Sequence, residues 1–373
     1  MEKKIFKKLF AEISVVFIIT SLTLGLIIWI LQAVNFLDII SEDGHSIATY
    51  FKYSLLNLPK ILSKIFLLSF FLSIFYVLVS YDEKNQLLIY WSNGISKNKF
   101  LNNLCIFSIL FILFSFLLSF IIVPFTQDKA RSFIRTSTLD FFPSLIKPKQ
   151  FIDTVENLTI FIDEKKDNKI KKIILKDSSN LDNIQVILAK DGEIINEKNE
   201  KLLILNDGKI VNSGRKGKST IINFNETNFG LNKYKTKTTT FPKIQEIKSI
   251  DIYKCSLSIF QKEELIKYKN FNCNEKILKD LVQEFYKRTY LPLYIPLISI
   301  IVGFLILNSH NDISYSRSKL KIFLLGVFFI MISQVTVSFI SENMIINFLI
   351  ISIVPLMIFF LYFLFKSKMK ISS

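Results

Sequence analysis

The sequence predicts an α-helical membrane protein with six spans, split three and three around an inserted β domain. Three observations predict it. Three long apolar runs lie before residue 126 and three more lie after residue 290. The segment between them is rich in Lys, Asn and Asp and alternates like β-strand. Half of all residues are hydrophobic, 37 of them Phe, yet the chain also carries 47 Lys and Arg. Apolar and charged residues are segregated along the chain, as in proteins that live partly in lipid.

A bilayer core of about 30 Å needs about 20 apolar residues in helix. Residues 13–34 meet this without a charge and follow Lys3, Lys4, Lys7 and Lys8. A signal peptide has a shorter apolar core and a small-residue cleavage site, so this run reads as an uncleaved anchor. The second span covers 54–80. Its clean apolar part, 65–79, is too short alone, and extending it takes in Pro59, Lys60 and Lys64. The other spans are 104–125, 291–307, 320–339 and 345–365. The domains are therefore residues 1–125 (spans one to three), 126–290 (the inserted domain with a helical return) and 291–373 (spans four to six and a tail).

Short-loop Lys and Arg set the orientation. One side holds the N-terminal lysines, Lys84, Lys97 and Lys99, then Arg317, Lys319 and Lys321, and finally Lys366, Lys368 and Lys370. The opposite side holds Lys52 alone in loop 35–53, and loop 340–344 has none. Both termini are expected in the cytoplasm and the inserted domain outside it. That domain is basic, but long translocated segments escape the charge rule.

The inserted segment carries short alternating runs at 158–162, 170–175, 186–188, 194–195, 202–205, 210–211 and 219–224. Asp191-Gly192 and Asp207-Gly208 lie between apolar runs and predict two hairpin turns. Strands at this spacing predict a sandwich, jelly roll or open roll. Residues 260–286 have helical spacing and lead back to the membrane.

The chain has two His and three Cys, with no CxxC or HExxH spacing, so no metal site is expected. Cys255 and Cys273 are either free thiols or, in an oxidising compartment, a disulfide. No nucleophile elbow, paired catalytic carboxylates or phosphate-cradling Gly loop is evident, so an enzyme is not expected. The formal charge of +16 reflects loop bias and contact with anionic headgroups rather than nucleic acid, because no basic helix with interleaved aromatics stands out.

The combination resembles the LptF/LptG family, the permease subunits of the lipopolysaccharide exporter. Leu58-Pro59 resembles the family's start of the second span, although Leu67 stands where a second proline is common. Gln86-Leu-Leu-Ile-Tyr-Trp-Ser-Asn-Gly-Ile-Ser96 resembles its cytoplasmic Glu-Leu-x-x-x-x-x-x-Gly-x-Ser motif. Leu203-Ile-Leu-Asn-Asp-Gly208 resembles its β-domain hairpin, and Arg288 with Leu291-Pro-Leu293 its Arg-x-x-x-Pro-Leu. The resemblance implies a periplasmic β-jelly-roll domain in a multi-pass inner-membrane protein. The absence of lysine from Gln32-Ala-Val-Asn-Phe-Leu-Asp38 resembles LptF more than LptG.

What the resemblance implies for function is specific. The chain would be a permease of an ABC transporter that extracts lipopolysaccharide and passes it to a periplasmic jelly-roll bridge. Its partners would be a paralogous LptG-like permease, a cytoplasmic LptB-like ATPase dimer, and LptC-like and LptA-like jelly-roll proteins. It has no P-loop, so no cofactor is expected on this chain and ATP would be bound by the partner. Loop 81–99 would form the coupling helix, with Asp82, Glu83, Gln86, Tyr90, Trp91 and Gly94 as contact and turn residues. Gln86 replaces the family's acidic residue, and Asp82 and Glu83 lie one turn earlier. Lys60 and Lys64, four apart on one helical face, and Arg288 read either as contacts to substrate phosphate or carboxylate groups or as structural and interfacial side chains. The apolar faces of the first and fifth spans would form lateral gates. Two other readings stand beside this one: a non-transporting, membrane-anchored β-domain assembly platform, and a permease of the lipoprotein-release type, which usually has four spans.

Overall fold

Lipid offers the backbone no hydrogen-bond partners, so a spanning segment must satisfy its own. Among its described residues the computed structural model does this with six helical segments long and apolar enough to cross a membrane. It describes residues 2–37, 47–145, 148–155, 157–166, 168–179, 183–197, 200–214, 219–230, 243–260, 267–268, 271–273, 275–307, 315–341 and 343–371. Contacts divide the chain into one unit of residues 1–30, 57–128 and 243–373, and another of 31–56 and 129–242.

The first unit is helical. Helix α1, Glu2–Asn35, buries Phe6, Leu9, Ile13 and Phe17 at helical spacing. Beyond α2, Ile47–Leu56, which belongs to the second unit, the long helix α3 runs Leu58–Glu83 with Pro59 in its first turn, where the missing N–H costs nothing. The short α4, Leu87–Ser92, precedes α5, Lys97–Leu117. A π-turn over Leu118–Ile122 then leads into α6, Val123–Leu145, which passes into the second unit after Asp128.

The return to the membrane is not one continuous helix over 260–286. Helix α7 is Ser249–Phe260, and Lys267–Tyr268 pairs with Phe271–Asn272. Cys255 and Cys273 are joined by a disulfide with their Cα atoms 6.0 Å apart. The bridge turns the chain back on α7, so the helical spacing is split. The intervening residues 261–266 lie outside the described ones.

The fourth span starts earlier than its apolar core. It comprises α8, Leu278–Thr289, a 3₁₀ turn at Leu291–Leu293, α9, Tyr294–Gly303, and a 3₁₀ turn at Phe304–Leu307. Of its most apolar stretch 72% is buried, against 11% for the sixth span, so it sits at the centre of the helical unit. Helices α10, Tyr315–Phe339, and α11, Met344–Ile371, complete the unit. Their apolar faces, like that of α1, are turned outward.

The second unit holds the expected β domain. Six strands form one antiparallel sheet in the order β1-β2-β3-β4-β5-β6. They are Phe151–Val155, Leu158–Lys166, Lys169–Asp177, Asn183–Glu197, Glu200–Gly214 and Ser219–Gly230. Each strand pairs with its sequence neighbour, so the described strands form a meander without the crossing connections of a Greek-key jelly roll. One face is a continuous core that includes Leu158, Ile160, Ile162, Leu175, Leu203 and Leu205.

Both Asp-Gly pairs fall inside long strands, not at hairpin turns. Gly192 pairs with Leu205 and Gly208 with Ala189 within the β4–β5 ladder. Asp207 takes a positive φ of 49° there. A Cβ on Gly208 would stand 2.3 Å from the Leu188 carbonyl and 2.4 Å from the Phe224 ring. The glycine is needed for close approach of backbone and ring, a role of glycine inside strands. Lys172, at φ 50°, marks a matching irregularity in β3. Its ammonium donates to Asp163 Oδ2 at 2.8 Å, and that bond holds the Asp163 carboxyl below its ordinary range.

Candidate functional site

Two places in the helical unit concentrate polar chemistry. The first is a cavity of about 370 Å³ lined by residues of α3, α5, the π-turn, the 3₁₀ turn at Ile244–Glu246, α8 and α10. Lys60 and Lys64 stand one helical turn apart on its wall, joined by Lys287, Glu284, Gln245 and Gln334. The π-turn inserts an extra residue into the third span, and Ser119 lies on the cavity wall.

The structure thus brings Lys60, Lys64 and Arg288 to one cavity although they are far apart in sequence. Their states differ. Lys60 is half-buried and Lys64 exposed. Neither has a carboxylate within ion-pair distance among the described residues. Arg288 is 2% exposed and its guanidinium is committed. It donates to Glu284 Oε1 at 3.0 Å, to the Ile247 carbonyl at 2.8 Å, to Ser249 Oγ at 2.9 Å and to the Gln245 carbonyl at 3.0 Å. Ser249 passes the chain on by donating to the Phe120 carbonyl in the π-turn. Arg288 therefore clamps the returning chain onto the third and fourth spans. This is the structural alternative for that residue: a cation whose donors are filled by carbonyls has none left for a ligand.

Glu284 also lies 3.8 Å from Lys287. In the lining, one carboxylate thus faces Lys60, Lys64, Lys287 and Arg288, and Lys243 and Glu246 act on Lys60 from nearby, which leaves the cavity net electropositive. Charges at membrane depth are costly and turn toward a cavity or partner. A 370 Å³ space with spare ammonium groups suits an anionic headgroup rather than a long acyl chain.

The second place is the loop from Glu83 to Lys97. Two capping turns of the same kind enclose α4. At the end of α3, Asn85 adopts φ 57°, with Gln86 N–H donating to the Tyr81 carbonyl and Asn85 N–H to that of Asp82. At the end of α4, Gly94 adopts φ 73°, with Ile95 N–H donating to Tyr90 and Gly94 N–H to Trp91. Both are Schellman motifs, which satisfy the last carbonyls of a helix through one left-handed residue. Ser96 then caps α5 by accepting from Lys99 N–H.

The expected residues of this loop do different things. Tyr90 is buried, 1% exposed, donates to the Ile5 carbonyl, and packs edge-on against Phe6 and Phe100. Trp91 is half-buried beside Phe100. Tyr90 is therefore an anchor that points into the protein. Asp82 and Gln86 are half-buried, and Glu83 accepts from Lys319 at 2.7 Å. The outward face of α4 is apolar: Leu88 is 58% and Ile89 51% exposed. Sequence reasoning missed these two. The signal was present, since Leu87 and Tyr90 at i and i+3 fix the inward face and leave 88 and 89 outside.

Comparison with known proteins decides the class. The family described as lipopolysaccharide export system permease LptF/LptG matches residues 7–368. The chain belongs to this family. A further relative is the uncharacterized protein RP871 of Rickettsia prowazekii (strain Madrid E), 23% identical over 278 residues, which cover 74% of each chain. Membership makes the chain a lipopolysaccharide export permease, a transport subunit and a multi-pass inner-membrane protein of an Lpt complex.

Proposed function

We propose that this permease works with a paralogous permease and a cytoplasmic ATPase dimer to lift lipopolysaccharide from the inner membrane and hand it to a periplasmic jelly-roll bridge. Lys60 and Lys64 receive an anionic group of the lipid, a phosphate or carboxylate, in the electropositive cavity. The observation that carries this reading is that two lysines without a carboxylate at ion-pair distance among the described residues line one partly open cavity, beside apolar side chains such as Phe66 and Ile295. Helix α4 is the coupling helix. Its apolar face, Leu88 and Ile89, seats in the ATPase, while Tyr90 keeps the helix rigidly attached to α1 and α5. ATP is bound by that partner, and this chain carries no cofactor.

The inserted domain faces the periplasm and both termini face the cytoplasm. The Cys255–Cys273 disulfide supports this, because such bridges persist in oxidising compartments. The lysine-free stretch at 32–38 favours the LptF position in the complex. The outward apolar faces of α1 and α10 serve as lateral gates for the acyl chains.

Co-purification tests the reading. The tagged full chain, extracted in mild detergent, should recover a second permease, an ATPase and bound lipopolysaccharide. Recovery of the β-domain partners alone, with no ATPase, would make the chain an assembly platform instead.

A further inference from the structure

A second groove lies at the other end of the helical unit, between the C-terminal end of the fourth span, the start of α10 and the end of α11. Its volume is about 630 Å³, within the range of about 300–1,000 Å³ typical of ligand pockets. Its two halves differ in chemistry. Lys321 and Lys368 lie at one end and Phe304, Leu325, Leu361 and Leu364 line the rest. The chain direction explains the division. Helix α10 begins six residues before Lys321, and α11 ends just after Lys368. At 1.5 Å per residue, Leu325 lies about 6 Å, and Leu361 about 10 Å, deeper along their helices than those lysines. The groove therefore runs from a cationic mouth at the helix ends to an apolar floor toward mid-membrane.

Several lysines on this side are already committed to partners within the chain. On the same side, Lys99 pairs with Glu2 at 2.8 Å and Lys319 with Glu83 at 2.7 Å, while Lys97 donates to the Leu307 carbonyl. Lys321 and Lys368 have no carboxylate partner among the described residues. Lys368 instead lies 5.9 Å from the centre of the Phe304 ring, at the joint between mouth and floor.

We infer that this groove is a binding site for an anionic glycerophospholipid of the surrounding membrane, its phosphate between Lys321 and Lys368 and one acyl chain along Phe304, Leu325 and Leu361. Charge complementarity selects the occupant: a zwitterionic lipid brings its own cation to a mouth that already holds two. Basic pockets between spanning helices are a recurrent way of holding anionic headgroups. The site is separate from the cavity at Lys60 and does not depend on the export reading. Only the leaflet does: with the termini in the cytoplasm it is the cytoplasmic one.

The test is native mass spectrometry of the delipidated full chain titrated with dioleoylphosphatidylglycerol or dioleoylphosphatidylcholine. The wild type should hold one phosphatidylglycerol at least tenfold more tightly than phosphatidylcholine. Lys321→Gln with Lys368→Gln should erase that preference. Leu325→Trp keeps both charges but fills the floor, and it should also lose the tight lipid; Leu364→Phe replaces it should the larger ring impair folding. Glycerol 1-phosphate should not displace the lipid. Retained preference in the double Gln variant, retained tight binding with the floor filled, or displacement by glycerol phosphate would each overturn the site. Lipopolysaccharide is absent from every arm, so failure here leaves the export reading intact.

Discussion

The Tyr290 hydroxyl donates to the carbonyl of Ile351. That carbonyl is the one Pro355, four residues further along α11, leaves without its helical donor. A side chain of the central span thus repairs a break in the sixth. Two neighbours extend the seam. Gln283 donates to the Ile340 carbonyl at 3.0 Å, and the Tyr294 hydroxyl meets Thr336 Oγ1 at 3.4 Å. Tyr286, Tyr290 and Tyr294 recur every fourth residue, so one stripe of the fourth span stands toward the last two.

Tyr290→Phe should therefore destabilise the helical unit by about 1–3 kcal/mol, the cost of an orphaned polar group. Pro355→Ala restores a backbone donor for Ile351 and should recover most of the loss in the Tyr290→Phe background. Thermal unfolding of the four proteins in detergent measures the coupling. Additive effects would show that the tyrosine and the proline act independently.

Gly94→Val should weaken recovery of the ATPase while leaving membrane insertion intact. The residue holds φ 73°, which a β-branched side chain resists, yet a Cβ there meets no atom within 4 Å. The cost is in the turn alone, on the order of 1–3 kcal/mol. Leu88→Asp, on the exposed face, should weaken recovery without touching the turn. Detergent pull-downs that recover wild-type amounts of ATPase with both variants would remove α4 from the interface.

Photo-crosslinking residues at positions 60 and 64 should capture lipopolysaccharide. Lys60→Leu with Lys64→Leu should insert well, because each Lys at mid-bilayer costs about 2.5–3.5 kcal/mol on insertion scales and less near the interface. Export by that variant should fall severalfold. Normal export with no crosslink would make both lysines interfacial anchors.

Gly208→Ala should disrupt the β4–β5–β6 ladder, because its Cβ has no room beside the Leu188 carbonyl and the Phe224 ring. A loss of about 1–3 kcal/mol is expected from such overpacking. Amide exchange of the full chain should accelerate in β4 to β6 and stay unchanged in the helices. Unchanged exchange in the sheet would mean that the ladder can shift to make room.

Lys209→Cys, on an exposed strand position, should react with a membrane-impermeant maleimide in intact spheroplasts. Labelling only after lysis would invert the topology and place the disulfide on the reducing side.

The six spans and the β insertion were legible in the sequence because lipid imposes a length and a polarity on each segment without reference to its neighbours. The short helix in loop 81–99 was legible for a similarly local reason, because Gly94 supplies the left-handed residue that ends it, whereas Asn85, which ends α3 in the same way, was not singled out. The roles of individual charges were not legible. Spacing places Lys60 and Lys64 on one face, but only packing of the third and fourth spans against α3 makes that face the wall of a cavity. Arg288 reads like them in sequence, and only the return of residues 244–249 across it fills its donors. The Asp-Gly pairs carry a strong local turn signal, yet pairing within the β4–β5 ladder puts both mid-strand, where Ile173 and the Ile204 carbonyl crowd Gly192 and the Leu188 carbonyl and Phe224 crowd Gly208. Local chemistry sets which conformations a segment can adopt. Contacts between segments distant in sequence decide which polar groups remain free to bind.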